Sequence, residues 1–210
     1  MANRKKATLR ERVVDELNRR FCKDVNVSFG SDISGRLVSI GSRNAINSFD
    51  NDRELVQATR WFSDTYWYFI RIEFVPVKKD FKMFASVSFF QEAGENLKQL
   101  FRAEWDSYAL QEGYNHPQPH WHFTAQLSDK TSFSDLENDE EESIFGELVG
   151  NSKTIKLDRM HFSMAGEWPT DGQMACELND EHTLVDWLIY LFAHVRAELD
   201  YKDSKSLGND

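Results

Sequence analysis

Cysteine is nearly missing from this chain: Cys22 and Cys176 are the only two in 210 residues, and they stand far apart with no spacing pattern. That excludes a disulfide framework and a cysteine-based zinc finger, and it makes a reducing, cytoplasmic compartment the default expectation. Long apolar runs are missing too. The longest, Trp187 to Ala193, falls far short of the roughly 20 residues that cross a bilayer. The first six residues carry charge with no apolar stretch behind them, so no secretory signal is expected. Basic charge is in deficit, with 25 Lys and Arg against 35 Asp and Glu, a net charge of −10. Such a surface repels a phosphate backbone, and broad nucleic-acid binding is not expected. Also absent are a Walker loop, G-x-G-x-x-G, G-x-S-x-G and H-E-x-x-H.

What is present is a load of apolar and aromatic side chains that must be buried. The chain is 40% hydrophobic and holds 16 Phe, 6 Trp and 6 Tyr, which excludes global disorder. The length suits one domain over residues 1–201, with a mobile acidic connection near 128–142 and a frayed tail over 202–210. Charge is uneven along it. Arg4, Lys5, Lys6, Arg10, Arg12, Arg19 and Arg20 crowd the start, whereas Asp135, Glu137, Asp139, Glu140, Glu141, Glu142 and Glu147 form an acidic run. Both read as solvated surface or as complementary docking faces, toward a protein partner or a second copy.

Periodicity sorts the elements. Thr8 and Glu11 make a capping-box pattern ahead of Leu9, Val13, Val14, Leu17 and Phe21, so a helix is expected over 8–21. Short strands are expected at 25–29 and 37–40, and a short helix over 52–62. Alternation is strongest over 65–75, where Tyr66, Tyr68, Ile70, Ile72 and Phe74 share a face until Pro76, and over 81–90. Residues 93–96 read as a hairpin turn, and 100–107, 120–127 and 153–163 as further strands. A helix should cover 183–201, with Leu184, Trp187, Leu188, Leu191, Phe192, Val195 and Leu199 on a broad stripe. The expected class is α+β, a mainly antiparallel sheet of about five to seven strands with the N-terminal and C-terminal helices packed on it.

Histidine is where chemistry could reside. His116, His120 and His122 fall within seven residues, and His161 sits on another expected strand. On a strand, positions 120 and 122 share a face roughly 6–7 Å apart, a spacing at which two imidazoles can share one ion. Pro117 and Pro119 should hold the approach extended, placing His116 at a defined distance. With Asp106 or Glu104 nearby, three or four of these imidazoles would suit zinc or another borderline divalent metal. Trp61, Trp67, Trp105, Trp121 and Trp168 fit either a ligand-stacking face or the core, with the core expected. His182 and His194 read as cap and helix-surface residues.

Two likenesses bear on the same residues. His122-Phe123-Thr124 and His161-Phe162-Ser163 are both His-x-Ser/Thr, and the pair resembles the motifs of the 2H phosphoesterases. The resemblance implies His122 and His161 as general base and general acid on a phosphodiester, with Thr124 and Ser163 holding its oxygens and no metal. Residues 100–106, with Arg102, Glu104 and Asp106, followed by the histidine patch, look like the layout of TumE-type toxins of bacterial toxin–antitoxin pairs. That likeness implies a bacterial protein with Arg102, Asp106 and the histidines in one site. Two function classes follow. One is a binding or assembly protein, a subunit of a larger complex whose histidines hold a metal or pack. The other is a hydrolase acting on a phosphodiester, through a metal or through paired histidines.

Overall fold

The computed structural model describes residues 7–41, 45–50, 52–61, 65–77, 80–94, 96–106, 118–123, 161–164 and 178–206. The chain starts with helix α1 (Leu9–Arg20), followed by a single turn, α2 (Cys22–Val25). Thr8 caps α1 as its sequence suggests. The Glu11 N–H donates to Thr8 Oγ1 at 3.2 Å and the Thr8 N–H donates to Glu11 Oε2 at 2.7 Å, so two otherwise orphaned amides are satisfied. Nine strands follow: β1 (Val27–Ser31), β2 (Leu37–Gly41), β3 (Ala45–Phe49), β4 (Leu55–Arg60), β5 (Tyr66–Val77), β6 (Asp80–Ala93), β7 (Asn96–Asp106), β8 (His120–Phe123) and β9 (His161–Ser163). Helix α3 (Glu181–Ser206) closes the described chain.

All pairings are antiparallel, in the order β1-β2-β5-β6-β7-β8-β9. Strands β2 and β4 share one edge of β5. Leu37 and Val38 pair with Ile72 and Arg71, and Thr59 and Arg60 pair with Tyr68 and Trp67. The β3–β4 hairpin therefore branches from the sheet at that edge. Gly94, at φ +63°, turns β6 into β7, a conformation that costs a side-chain-bearing residue and not glycine. The nine strands among the described residues exceed the five to seven expected, and the excess lies in the hairpin.

The expected helix over 52–62 does not form. Leu55, Val56, Gln57 and Ala58 alternate out and in, a strand's period. The polar residues before them close a turn instead of capping a helix. The Arg53 N–H donates to the Asp50 carbonyl at 3.0 Å and the Glu54 N–H to Asp50 Oδ1 at 2.9 Å, with Arg53 at φ +62°. Strand β5 also outruns Pro76, which pairs with Phe81 one step from the ladder's end, where a missing donor costs least. Helix α3 continues past 201 to Ser206, residues 207–210 lie outside the described residues, and so does the acidic connection near 128–142.

One sheet face takes both long helices. Tyr66, Tyr68, Ile70 and Ile72 of β5, Met83, Ala85, Val87 and Phe89 of β6, and Ala103 and Trp105 of β7 pack against Leu9, Val13 and Leu17 of α1 and Leu184, Leu188 and Leu191 of α3. The Phe192 ring stands 4.9–5.4 Å from those of Phe21, Trp61, Tyr68 and Phe89. Burying each such side chain contributes about 1.5–3 kcal/mol before chain entropy is subtracted. On the opposite face Trp67, Phe69 and Phe90 form a smaller cluster with Val56 and Ala58 of β4. Val38 and Leu97 pack against that cluster, and Arg71, Ser86, Ser88, Arg102 and Glu104 make the neighbouring part of the face polar.

Candidate metal centre

Strand alternation sends successive side chains to opposite faces. Phe101, Ala103 and Trp105 of β7 and Trp121 of β8 pack with the helices, so Arg102, Glu104, His120 and His122 occupy the helix-free face. The register places Glu104 opposite His120 and Arg102 opposite His122. Transverse rows result: Arg71, Ser86, Glu104 and His120 in one, Ser88, Arg102 and His122 in the next.

Within these rows three donor atoms converge. His122 Nε2 is 2.6 Å from Glu104 Oε2, His120 Nε2 is 2.8 Å from His122 Nε2, and His120 Nε2 is 3.5 Å from Glu104 Oε2. The His122 ring crosses diagonally to reach the carboxylate, which is why the directly opposed pair is the longer contact. Glu104 and His120 are buried, with relative exposures of 8% and 2%. Three atoms at these separations lie on a circle of radius about 1.8 Å, so a point about 1 Å off their plane stands about 2.0–2.1 Å from all three, the ordinary Zn–N and Zn–O distance. The Glu104, His120 and His122 group could hold a metal ion.

The carboxylate is prepared for that role. Burial pushes the Glu104 carboxyl up, but hydrogen bonds to His120 and His122 and the positive charge of Arg102 outweigh it and hold the group well below the usual carboxylate range. Arg102 Nε lies 2.8 Å from Glu104 Oε1, leaving Oε2 to the imidazoles. Its Nη1 makes an ion pair with Asp52, from the turn between β3 and β4. The same turn sends Glu54 to Arg71 Nη1 at 2.8 Å and to Arg36 Nη1 at 3.0 Å.

The other anticipated residues are placed as follows. His161 pairs with His122 in the register of β8 and β9, and Ser163 pairs with His120. His116 and Thr124 lie outside the described residues. Asp106 is not in the converging group; its N–H donates to Gln118 Oε1 at 2.6 Å, which ties β7 to the segment entering β8. The Gln118–Pro119 bond on that approach is cis. Trp67 and Trp105 are core residues, Trp61 and Trp121 pack against the main cluster, and Trp168 lies outside the described residues. His182 Nδ1 meets Glu16 Oε1 at 3.1 Å, and the His194 ring is 6.5 Å from Trp121.

Sequence reading did not bring Asp52 to the site. The signal was the stretch 50–54, rich in Asp and Asn between apolar segments, which marks a turn as readily as a helix start. Among the described residues no helix is long and apolar enough to cross a membrane. Comparison with protein families, curated proteins and solved structures returns no match for this chain, so both likenesses rest on the residues quoted for them.

Proposed function

We propose that this chain binds one divalent transition-metal ion, zinc for preference, on Glu104, His120 and His122, and uses it to hydrolyse a small phosphodiester. The observation that carries the reading is the convergence of two imidazole nitrogens and a carboxylate oxygen within 2.6–3.5 Å on a helix-free sheet face. Two imidazoles and one carboxylate suit a borderline ion such as zinc. Among the described residues the group offers three protein donors, the number found at catalytic zinc, where a further position is left for water or substrate, whereas structural zinc takes four. The bound ion would supply Lewis acidity and an activated water. Arg102 supplies a fixed positive charge beside it, and Glu104 orients both. A net charge of −10 argues for a small substrate over a polymer.

A second reading has its own support. The register sets His161 across from His122, and a fourth imidazole or carboxylate donor would close the centre. The ion would then be structural, and the protein a binding or assembly subunit.

Metal content of the purified protein decides between them, measured on wild type and on His120→Ala and His122→Ala, with hydrolysis of bis(p-nitrophenyl) phosphate followed alongside. The catalytic reading expects one zinc per chain, lost in both variants together with activity while the fold persists. Zinc loss accompanied by unfolding supports the structural centre. Activity that survives full chelation and disappears in His122→Ala and His161→Ala would transfer the chemistry to a metal-free acid/base pair. Full activity and metal content in every variant would refute all three.

A further inference from the structure

We infer that Arg102 is the anion-binding residue of this centre, and that Asp52 is its resting counter-ion, which the phosphate group of a substrate displaces. The inference deepens the metal-centre reading and rests on it. Glu104 shows the spacing involved: one of its oxygens meets Arg102 at 2.8 Å while the other meets the imidazoles. The guanidinium and the three-donor point are thus one carboxylate apart. A phosphate lying over that carboxylate reaches the ion with one oxygen and Arg102 with another, and the planar guanidinium fork suits such an oxyanion.

The two ends of the Arg102–Asp52 pair differ in how they are held. The Arg102 side chain is 12% exposed and belongs to a central strand, whereas the Asp52 side chain is 50% exposed and sits on a turn. That turn joins two strands whose ladder to the sheet is the pair of contacts Thr59–Tyr68 and Arg60–Trp67. Its tip is otherwise held on the face by ion pairs, Glu54 with Arg71 and Arg36. Glu104 holds Arg102 through Nε, and the outer Nη1 of the largely buried guanidinium takes a second negative partner when no ligand is bound. Asp52 provides one from outside, and an incoming phosphate restores the same charge balance. Competition by Asp52 then lowers the apparent affinity for the anion by the fraction of time the arginine is occupied.

Titration of inorganic phosphate into zinc-loaded wild type, Asp52→Asn and Arg102→Lys, with free metal removed and bound zinc counted, tests this. The expected result is phosphate binding about five- to tenfold tighter in Asp52→Asn and about tenfold weaker in Arg102→Lys, with one zinc in each. A lower melting temperature with unchanged or weaker phosphate affinity in Asp52→Asn would make that residue a structural brace and overturn the inference. Should the wild type hold no zinc, the metal reading fails on its own, and the same titration of metal-free protein still decides: the ranking of the three proteins keeps the exchange, and equal affinities dismiss it.

Discussion

Glu104 carries a negative charge where water is nearly excluded, and its neighbours explain how it does so. A buried carboxylate is costly unless it is paired and hydrogen-bonded. Here one oxygen faces Arg102 and the other faces two imidazoles. Removing the charge leaves the guanidinium with Asp52 as its carboxylate from the hairpin tip. Because Asp52 still pairs Arg102, Glu104→Gln should destabilise the metal-free protein by about 1–3 kcal/mol through the lost contacts of the carboxylate, read from urea unfolding in the presence of chelator. The same variant should lose zinc. A metal-free stability equal to wild type would show the carboxylate to be dispensable for the fold. At this scale the sequence was partly legible. The His-x-His spacing placed positions 120 and 122 on one face, but the choice of Glu104 over Asp106 depended on a register between residues 16 to 22 positions apart.

At the scale of elements, α1 and α3 are joined by charge as well as by apolar packing. Arg12 pairs with Glu181 at 3.0 Å, Arg20 pairs with Asp186, and His182 reaches Glu16, which also holds Arg19 and Arg20. Arg12, Arg19 and Arg20 of the basic N-terminal run thus find acidic partners within their own chain. Hydrogen bonding to Arg19, with His182 and Arg20 adding to it, brings the Glu16 carboxyl down to about 2. A depressed carboxyl stabilises the fold fully above its unfolded value, near 4.5, and loses that contribution as pH falls through about 2. Thermal melts should therefore decline between pH 4.5 and pH 2, and Glu16→Gln should flatten that part of the profile; an unchanged slope would remove Glu16 from the acid response. At the other end of the helix, Thr8→Ala should cost about 1 kcal/mol in equilibrium unfolding, because the capping box would be broken. The capping signal was local, a residue and its third neighbour, so it was readable from sequence. The β3–β4 hairpin was not, since a short polar stretch before Leu55 satisfies a helix cap and a turn alike.

For the molecule as a whole, stability lies in the layer between the helices and the sheet. Leu188 is fully buried in the main cluster, with the helix behind it and the sheet in front. Leu188→Ala should lower unfolding free energy by about 2–5 kcal/mol, with most of the spread set by how far the neighbours relax into the cavity. On the proposed reading, zinc affinity should change little, because Glu104, His120 and His122 are on the opposite face. A variant that lost metal while still folded would show the two faces to be coupled.

Composition and periodicity alone determined the α+β class, the two long helices and the long central strands, because a long apolar stripe at helical or strand spacing fixes the element type and the face it buries. They also singled out the histidines at 120 and 122. Tertiary structure alone decided that Glu104 joins those histidines, that Arg102 stands beside them, and that Asp52 crosses from a distant hairpin to meet it. Those contacts follow from strand register and from how a hairpin branches off a shared edge. Both depend on pairings between residues remote in the chain, for which no local pattern carries the information.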